Sequence, residues 1–203
     1  MEKDFIFISA SKVATHRLLL LHGWGADADD LVPIGEELIK GLIGLDLELV
    51  AFRAPQQHPE GFGRQWYGLF PPDWSQVPFA IKDLQSRIKS FSISPVPLEK
   101  TVILGFSQGG AMALEAGLAL PVAGVIGCSA YPHPNWIPQR VSPPLLLTHG
   151  SKDEIVPLEA SKRIISAMKD NKLDAQLIIF EGGHQIPLEL IPSIQSLLQK
   201  WFI

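Results

Sequence analysis

Ser107 is the side chain in this sequence best set for attack on a carbonyl carbon. It stands in Gly105-Phe106-Ser107-Gln108-Gly109, directly behind the apolar run Thr101-Val102-Ile103-Leu104 and directly ahead of the helix-prone Gly110-Ala111-Met112-Ala113-Leu114. A G-x-S-x-G element between a strand and a helix holds a hydroxyl up on a sharp turn, and its glycines clear the space for a strained serine backbone. The spacing alone arises by chance in on the order of one chain in ten of this length. The flanking strand and helix therefore carry much of the inference.

A serine hydroxyl at neutral pH needs an imidazole to take its proton and a carboxylate to orient that imidazole. On a sheet of this type the three follow in the order serine, acid, histidine, each on a loop after a strand's C-terminal end, where distant residues converge. Leu145-Leu146-Leu147-Thr148-His149 leads into Gly150-Ser151-Lys152-Asp153-Glu154. Asp153 is favoured over Glu154, which adjoins Ile155-Val156-Pro157, where the chain should turn into a helix. The competing reading of Asp153 is a helix N-terminal acid stabilised by the dipole. Phe180-Glu181-Gly182-Gly183-His184 ends the last strand, and the paired glycines permit a tight path that swings an imidazole toward the serine. Of the 6 histidines, His16, His22 and His58 precede the serine, His133 follows the wrong strand, and His149 precedes the acid. Only His184 meets both order and location.

The tetrahedral intermediate needs two backbone donors aimed at its oxyanion. One is expected from the Gln108 amide, which opens the helix. The other is assigned to the Trp24 amide, in His22-Gly23-Trp24-Gly25 after an early strand. His22 reads as a brace for that loop and not as a proton carrier.

The elements that must position these groups are legible as alternation. Apolar runs of strand length recur at 5–9, 18–22, 45–52, 101–106, 122–129, 145–149 and 175–180, with helical patterns at 29–40, 79–90, 108–120, 158–171 and 188–201. Several runs are continuously apolar, as in parallel strands buried on both faces. This predicts a three-layer α/β domain with a mostly parallel sheet of about seven strands and helices on both faces, occupying residues 1–203 as a single domain. Residues 54–78 break the rhythm with Pro, Gly, Gln and aromatics and are too long for a routine connection. They read either as a cover over the substrate edge or as an irregular loop packed for stability.

Composition excludes several classes. The 203 residues carry 17 basic and 21 acidic side chains, a formal charge of −4, with no basic concentration to hold nucleic acid. A lone cysteine, Cys128, forms no internal disulfide and reads as a small core residue. No apolar run approaches the roughly 20 residues of a membrane span. The N-terminus does not read as a signal peptide, so a cytoplasmic location is expected. Metal-ligand spacing, a P-loop and a dinucleotide fingerprint are all missing.

The motifs together resemble the carboxylesterase/acyl-protein thioesterase family of α/β-hydrolases, also called phospholipase/carboxylesterase, over nearly the whole chain. Leu21-His22-Gly23-Trp24-Gly25 is similar to that family's His-Gly-x-Gly oxyanion segment. Gly105-Phe106-Ser107-Gln108-Gly109-Gly110-Ala111 matches its nucleophile segment residue for residue, and the sequence from His149 to Pro157 follows its His-Gly-x-x-Asp-x-x-Val-Pro acid segment. Gly183-His184 matches the histidine end, and Trp66-Tyr67-Gly68 resembles its Trp-Phe-Asp. Gly68 stands where the family carries Asp, and Trp24 replaces a smaller or aliphatic residue, a change that could narrow the pocket entrance. The chain is shorter than most relatives, with one N-terminal strand where a hairpin is common.

The resemblance implies an α/β-hydrolase fold without a cap domain and hydrolysis of short- to medium-chain esters or thioesters, small-molecule or protein-linked, through an acyl-serine and without a cofactor. An acyl pocket lined by Trp66, Leu69, Trp74 and Ile155 is expected. Relatives often pair, so a homodimer is among the assemblies it allows. Capped esterases, including those acting on pimeloyl esters, share His-Gly-Trp-Gly but insert a helical cap before the acid strand. Only residues 131–144 are available for one. A hydrolase-fold ligand binder would ordinarily lack a triad member, and a peptidase would need a cap or propeller. Both rank lower.

Overall fold

A computed structural model describes residues 4–9, 13–91 and 93–202. Seven strands form one sheet in the order β1-β3-β2-β6-β7-β8-β9. They are β1 (Phe5–Ser9), β2 (His16–Leu21), β3 (Leu47–Phe52), β6 (Thr101–Phe106), β7 (Gly124–Cys128), β8 (Leu145–Gly150) and β9 (Ala175–Phe180). β1 runs antiparallel to β3 and every other pairing is parallel. β2 and β8 are buried at every position, which is why their sequences read as unbroken apolar runs.

Side chains alternate between the two faces, and each face carries its own core. Leu19, Leu21, Ile103, Val125 and Leu147 point toward helices α2 (Val77–Ser90), α3 (Gln108–Met112) and α4 (Glu159–Asp170). Leu18, Leu20, Val102, Leu104 and Leu146 point toward α1 (Val32–Lys40) and α5 (Ile191–Phe202). The chain leaves β2 in one direction along the sheet and β6 continues in the other, so the loops after β2 and β6 meet at the switch point, where such sheets hold ligands.

Differences from the sequence reading lie at element ends and in the long loop. α1 starts at Val32 with Pro33 in its first turn, where a missing N–H costs nothing. The helix expected over 108–120 is α3 followed by a π-helical turn, Ala113–Gly117. Residues 54–78 contain a small antiparallel pair, β4 (Gln56–Gln57) with β5 (Arg64–Gln65), and a 3-10 turn at Trp74–Gln76. Between β7 and β8 the chain forms no helix, so no cap is inserted there.

Candidate active site

Ser107 has φ 53° and ψ −115°, a conformation reserved for strained turns, and is 8% exposed. The turn survives because its neighbours are glycines. A Cβ at Gly105 would strike the carbonyl of Gly109, and one at Gly109 would strike the carbonyls of Leu21 and His22. β6, the elbow and the loop after β2 are thus in backbone contact. A Cβ built on Gly23 would lie 3.5 Å from Ser107 Cβ, so the loop after β2 touches the serine elbow.

The loops after β8 and β9 are joined in the same way. A Cβ at Gly150 would collide with the carbonyls of Gly182 and Gly183, and Lys152 N–H donates to Gly182 O at 2.9 Å. That approach brings His184 Nδ1 to 2.8 Å from Asp153 Oδ2. Asp153 Oδ1 accepts from the amides of Ile155 (3.0 Å) and Val156 (2.9 Å). Burial by itself would raise the Asp153 carboxyl, but the Val156 amide and His184 outweigh it and hold the group below the usual carboxylate value. The two halves meet where the His184 ring packs 4.8 Å from the ring of Phe106, next to Ser107. Among the described residues neither Ser107 Oγ nor His184 Nε2 makes a hydrogen bond to another side chain, and the His184 side chain is 18% exposed.

Two amides near the serine elbow have no acceptor among the described residues. Gln108 is the first residue of α3, so its N–H has no intrahelical partner. The Trp24 amide has none among the described residues, while its neighbours are spent: Gly25 N–H donates to Arg64 O and Ala26 N–H to Gly23 O. His22 fixes this segment. Its Nδ1 donates to Gly23 O at 2.8 Å and its Nε2 accepts from Ala54 N–H at 3.1 Å, which specifies one neutral tautomer. Burial lowers its pKa below the ordinary imidazole value.

Of the residues expected at an acyl pocket, Trp66 is placed differently. It is 1% exposed and packs in the core, its indole N–H donating to His22 O at 2.9 Å and its amide to Gln108 Oε1 at 3.0 Å. Its ring has no open surface to offer a substrate and braces the loop after β2 and the Gln108 side chain. Leu69 is half-buried against the same core. Ile155 is exposed beside Asp153. Trp74 is partly exposed and borders a cleft of about 420 Å³ with His133, Trp136 and Arg163. A second cleft, about 480 Å³ between Ile8, Glu36 and Leu47, lies by the start of β3 at the other end of the strands. Trp24 turns its indole into the long loop, 4.1 Å from the ring of His58 and 4.9 Å from that of Phe70, with Nε1 donating to Gln65 Oε1. Position 68 has room for a side chain: a Cβ there would make only ordinary contact, 3.7 Å, with Asp73 Cβ. Cys128 is buried, and burial pushes its thiol up to about 11.

Sequence reasoning missed a buried polar chain next to the site. Glu115 Oε2 lies 2.6 Å from His133 Nδ1, His133 Nε2 lies 2.9 Å from Tyr67 Oη, and Tyr67 Oη lies 2.7 Å from Tyr131 Oη. No spacing signals it, because its members come from three separate segments. Among the described residues no His, Cys, Asp and Glu side chains gather in threes as a metal site requires. No helix among them is long and apolar enough to cross a membrane.

A mostly parallel sheet with a strained serine elbow at its switch point and an Asp-His pair on the neighbouring loops defines a hydrolase of the α/β-hydrolase class. The chain belongs to the phospholipase/carboxylesterase family, whose sequence profile matches residues 2–202. It is 27% identical over 217 residues to acyl-protein thioesterase 1 of Yarrowia lipolytica, covering 95% of each protein. It is 28% identical over 139 residues to a probable carboxylesterase of Oryza sativa subsp. japonica, an alignment covering 64% of this chain and about half, 52%, of the rice protein. Among solved structures it superimposes on esterase PE8 with a TM-score of 0.85 at 27% identity, covering 96% of this chain and 97% of that one.

Proposed function

We propose that this protein hydrolyses short- to medium-chain carboxylic esters or thioesters through an acyl-serine intermediate, with Ser107, His184 and Asp153 as the catalytic residues. Ser107 Oγ attacks the acyl carbon as its proton passes to His184 Nε2, and Asp153 orients and stabilises the resulting imidazolium. The oxyanion accepts from the Gln108 and Trp24 amides. Collapse breaks the bond to the alcohol or thiol, which leaves with the proton from His184. Water then repeats the sequence on the acyl-serine and releases the carboxylic acid.

The observation that carries this reading is the 2.8 Å His184–Asp153 hydrogen bond beside a serine held at φ 53°. This mechanism requires a Ser107 Oγ–His184 Nε2 hydrogen bond that forms once substrate is bound. The names of the Yarrowia and rice relatives favour a thioester or carboxylic ester as substrate. Trp74, Leu69 and Ile155 are the side chains left to shape the acyl site.

The test is hydrolysis of p-nitrophenyl acetate and butyrate, with Ser107→Ala expected to lower kcat at least about 10³-fold. Ordinary turnover in that variant would end the serine mechanism. A chain-length series run with oxygen and sulfur esters then fixes the substrate class. A cytoplasmic location and a homodimer belong to the same proposal, checked by cell fractionation and by sedimentation.

A further inference from the structure

We infer that Glu115, His133 and Tyr67 are positioning residues for the oxyanion donor at Gln108, acting through a closed ring of hydrogen bonds that ties both ends of the serine-bearing helix to the long loop. The inference rests on the proposed serine mechanism and adds residues to it.

The ring can be followed atom by atom. The Gln108 side chain is held at two points by the loop backbone: Oε1 accepts from Trp66 N–H at 3.0 Å, and Nε2 donates to Tyr67 O at 2.8 Å. This pairing allows one amide orientation only, and it fixes the residue whose own N–H faces the reacting oxygen. The loop backbone is fixed in turn by the Tyr67 side chain, whose hydroxyl lies 2.9 Å from His133 Nε2. A carboxylate only accepts, so His133 Nδ1 donates to Glu115 Oε2, 2.6 Å away. Glu115 lies in the π-helical turn that continues α3, the helix Gln108 begins. The path therefore returns to its start: Gln108, Tyr67, His133, Glu115, and back along the helix.

Burial makes the ring stiff. Gln108 and Tyr67 are 0% exposed and His133 is 4% exposed, so water cannot substitute for these inner members; the Glu115 side chain, 33% exposed, closes the ring at its solvent side. The π-helical turn, a feature common at functional sites, carries the Glu115 carboxylate to His133. Tyr131 Oη, 2.7 Å from Tyr67 Oη, supplies the second partner that keeps the Tyr67 hydroxyl from turning away. An oxyanion donor gains from such restraint because it contributes only if it is already aimed when charge develops.

The experiment compares Tyr67→Phe, Glu115→Ala, Glu115→Gln and the double variant Tyr67→Phe/Glu115→Ala on p-nitrophenyl butyrate. Inhibition by a trifluoromethyl ketone, which forms a tetrahedral serine adduct, is measured alongside. Active-site titration corrects each rate for the folded fraction. Tyr67→Phe and Glu115→Ala are expected to lower kcat about tenfold with KM within about twofold, and to weaken the ketone by the same factor. Glu115→Gln keeps an acceptor for His133 and should stay within about threefold of the parent. The double variant should be no worse than either single change, because both cut one ring. Parent kcat and ketone affinity in both single variants would overturn the inference, as would a loss confined to KM, or additive losses in the double variant. Ser107→Ala separates the two readings: if it keeps ordinary turnover the serine mechanism fails, whereas a dead Ser107→Ala beside a fully active Tyr67→Phe removes the ring alone.

Discussion

His22 and His149 occupy corresponding places, each followed by a glycine where a buried strand gives way to a site loop. His22 is locked by Gly23 O and Ala54 N–H. His149 Nε2 donates to Val156 O at 2.8 Å and its Nδ1 accepts from Ser161 Oγ at 2.7 Å, which pins the loop carrying Asp153. Both rings hold backbone in place. For His22 this has a pH consequence. Its folded pKa is lowered by burial, so below the ordinary imidazole value of about 6.5 the unfolded chain binds the extra proton and stability falls with pH. Thermal melts at stepped pH should show a steeper loss between pH 7 and 5 for the parent than for His22→Gln; parallel curves would refute this. Asp153 acts in a lower range. Its depressed folded pKa gives a contribution that is complete above the usual carboxylate value and is lost as pH falls through the folded one.

At the scale of elements, the site is assembled by backbone approaching backbone. The β6–α3 elbow can lie on the loop after β2 only because position 109 has no side chain. Gly109→Ala should cost well over the 1–3 kcal/mol of ordinary overpacking, appearing as loss of soluble protein or a collapse in Tm. Gly61 makes the contrast. It has φ +81° with nothing within 4 Å of a Cβ built on it, so Gly61→Ala should cost only about 1–2 kcal/mol of backbone strain. Equal melting temperatures for the two variants would contradict the steric account. Strand-and-helix alternation made most elements readable, since apolar periodicity acts locally. The β4–β5 pair was not readable. Its two-residue strands are too short to carry a period, and β5 is held by contacts with the loop after β2, Arg64 N–H donating to Ala26 O at 2.7 Å. The break of the third helix into a π-helical turn was equally hidden, because residues 113–117 remain good helix formers.

Across the molecule, the two ends of the strands do different work. The C-terminal edge gathers the strained serine and the Asp-His pair. Near the opposite end Arg17 Nε donates to Glu48 Oε1 at 2.5 Å, and Ser94 Oγ donates to the same oxygen at 2.6 Å, tying β2 and β3 to the segment before β6. The pair is buried, and Glu48 Oε2 has no hydrogen-bond partner among the described residues. Removing one member strands the other charge, so Glu48→Ala should destabilise by about 3–5 kcal/mol. The apolar pair Arg17→Met/Glu48→Leu should recover most of that loss. In both variants kcat per folded molecule should match the parent, checked by denaturant unfolding together with active-site titration. A double variant as unstable as the single one would show that the ion pair itself, and not its completeness, holds this end.

The sequence by itself determined the layer architecture, the order of strands and helices, and the identities of Ser107, Asp153 and His184 as candidates. Those follow from local periodicity and from residue types at fixed spacing beside strand ends. Only the tertiary structure decided that Trp66 is a buried brace, that Trp24 packs into the long loop, and that Glu115, His133 and Tyr67 form one chain beside Gln108. Such contacts join residues separated by 18 to 66 positions. They depend on how loops from different strands meet over the sheet edge, and no periodicity along the chain encodes that meeting.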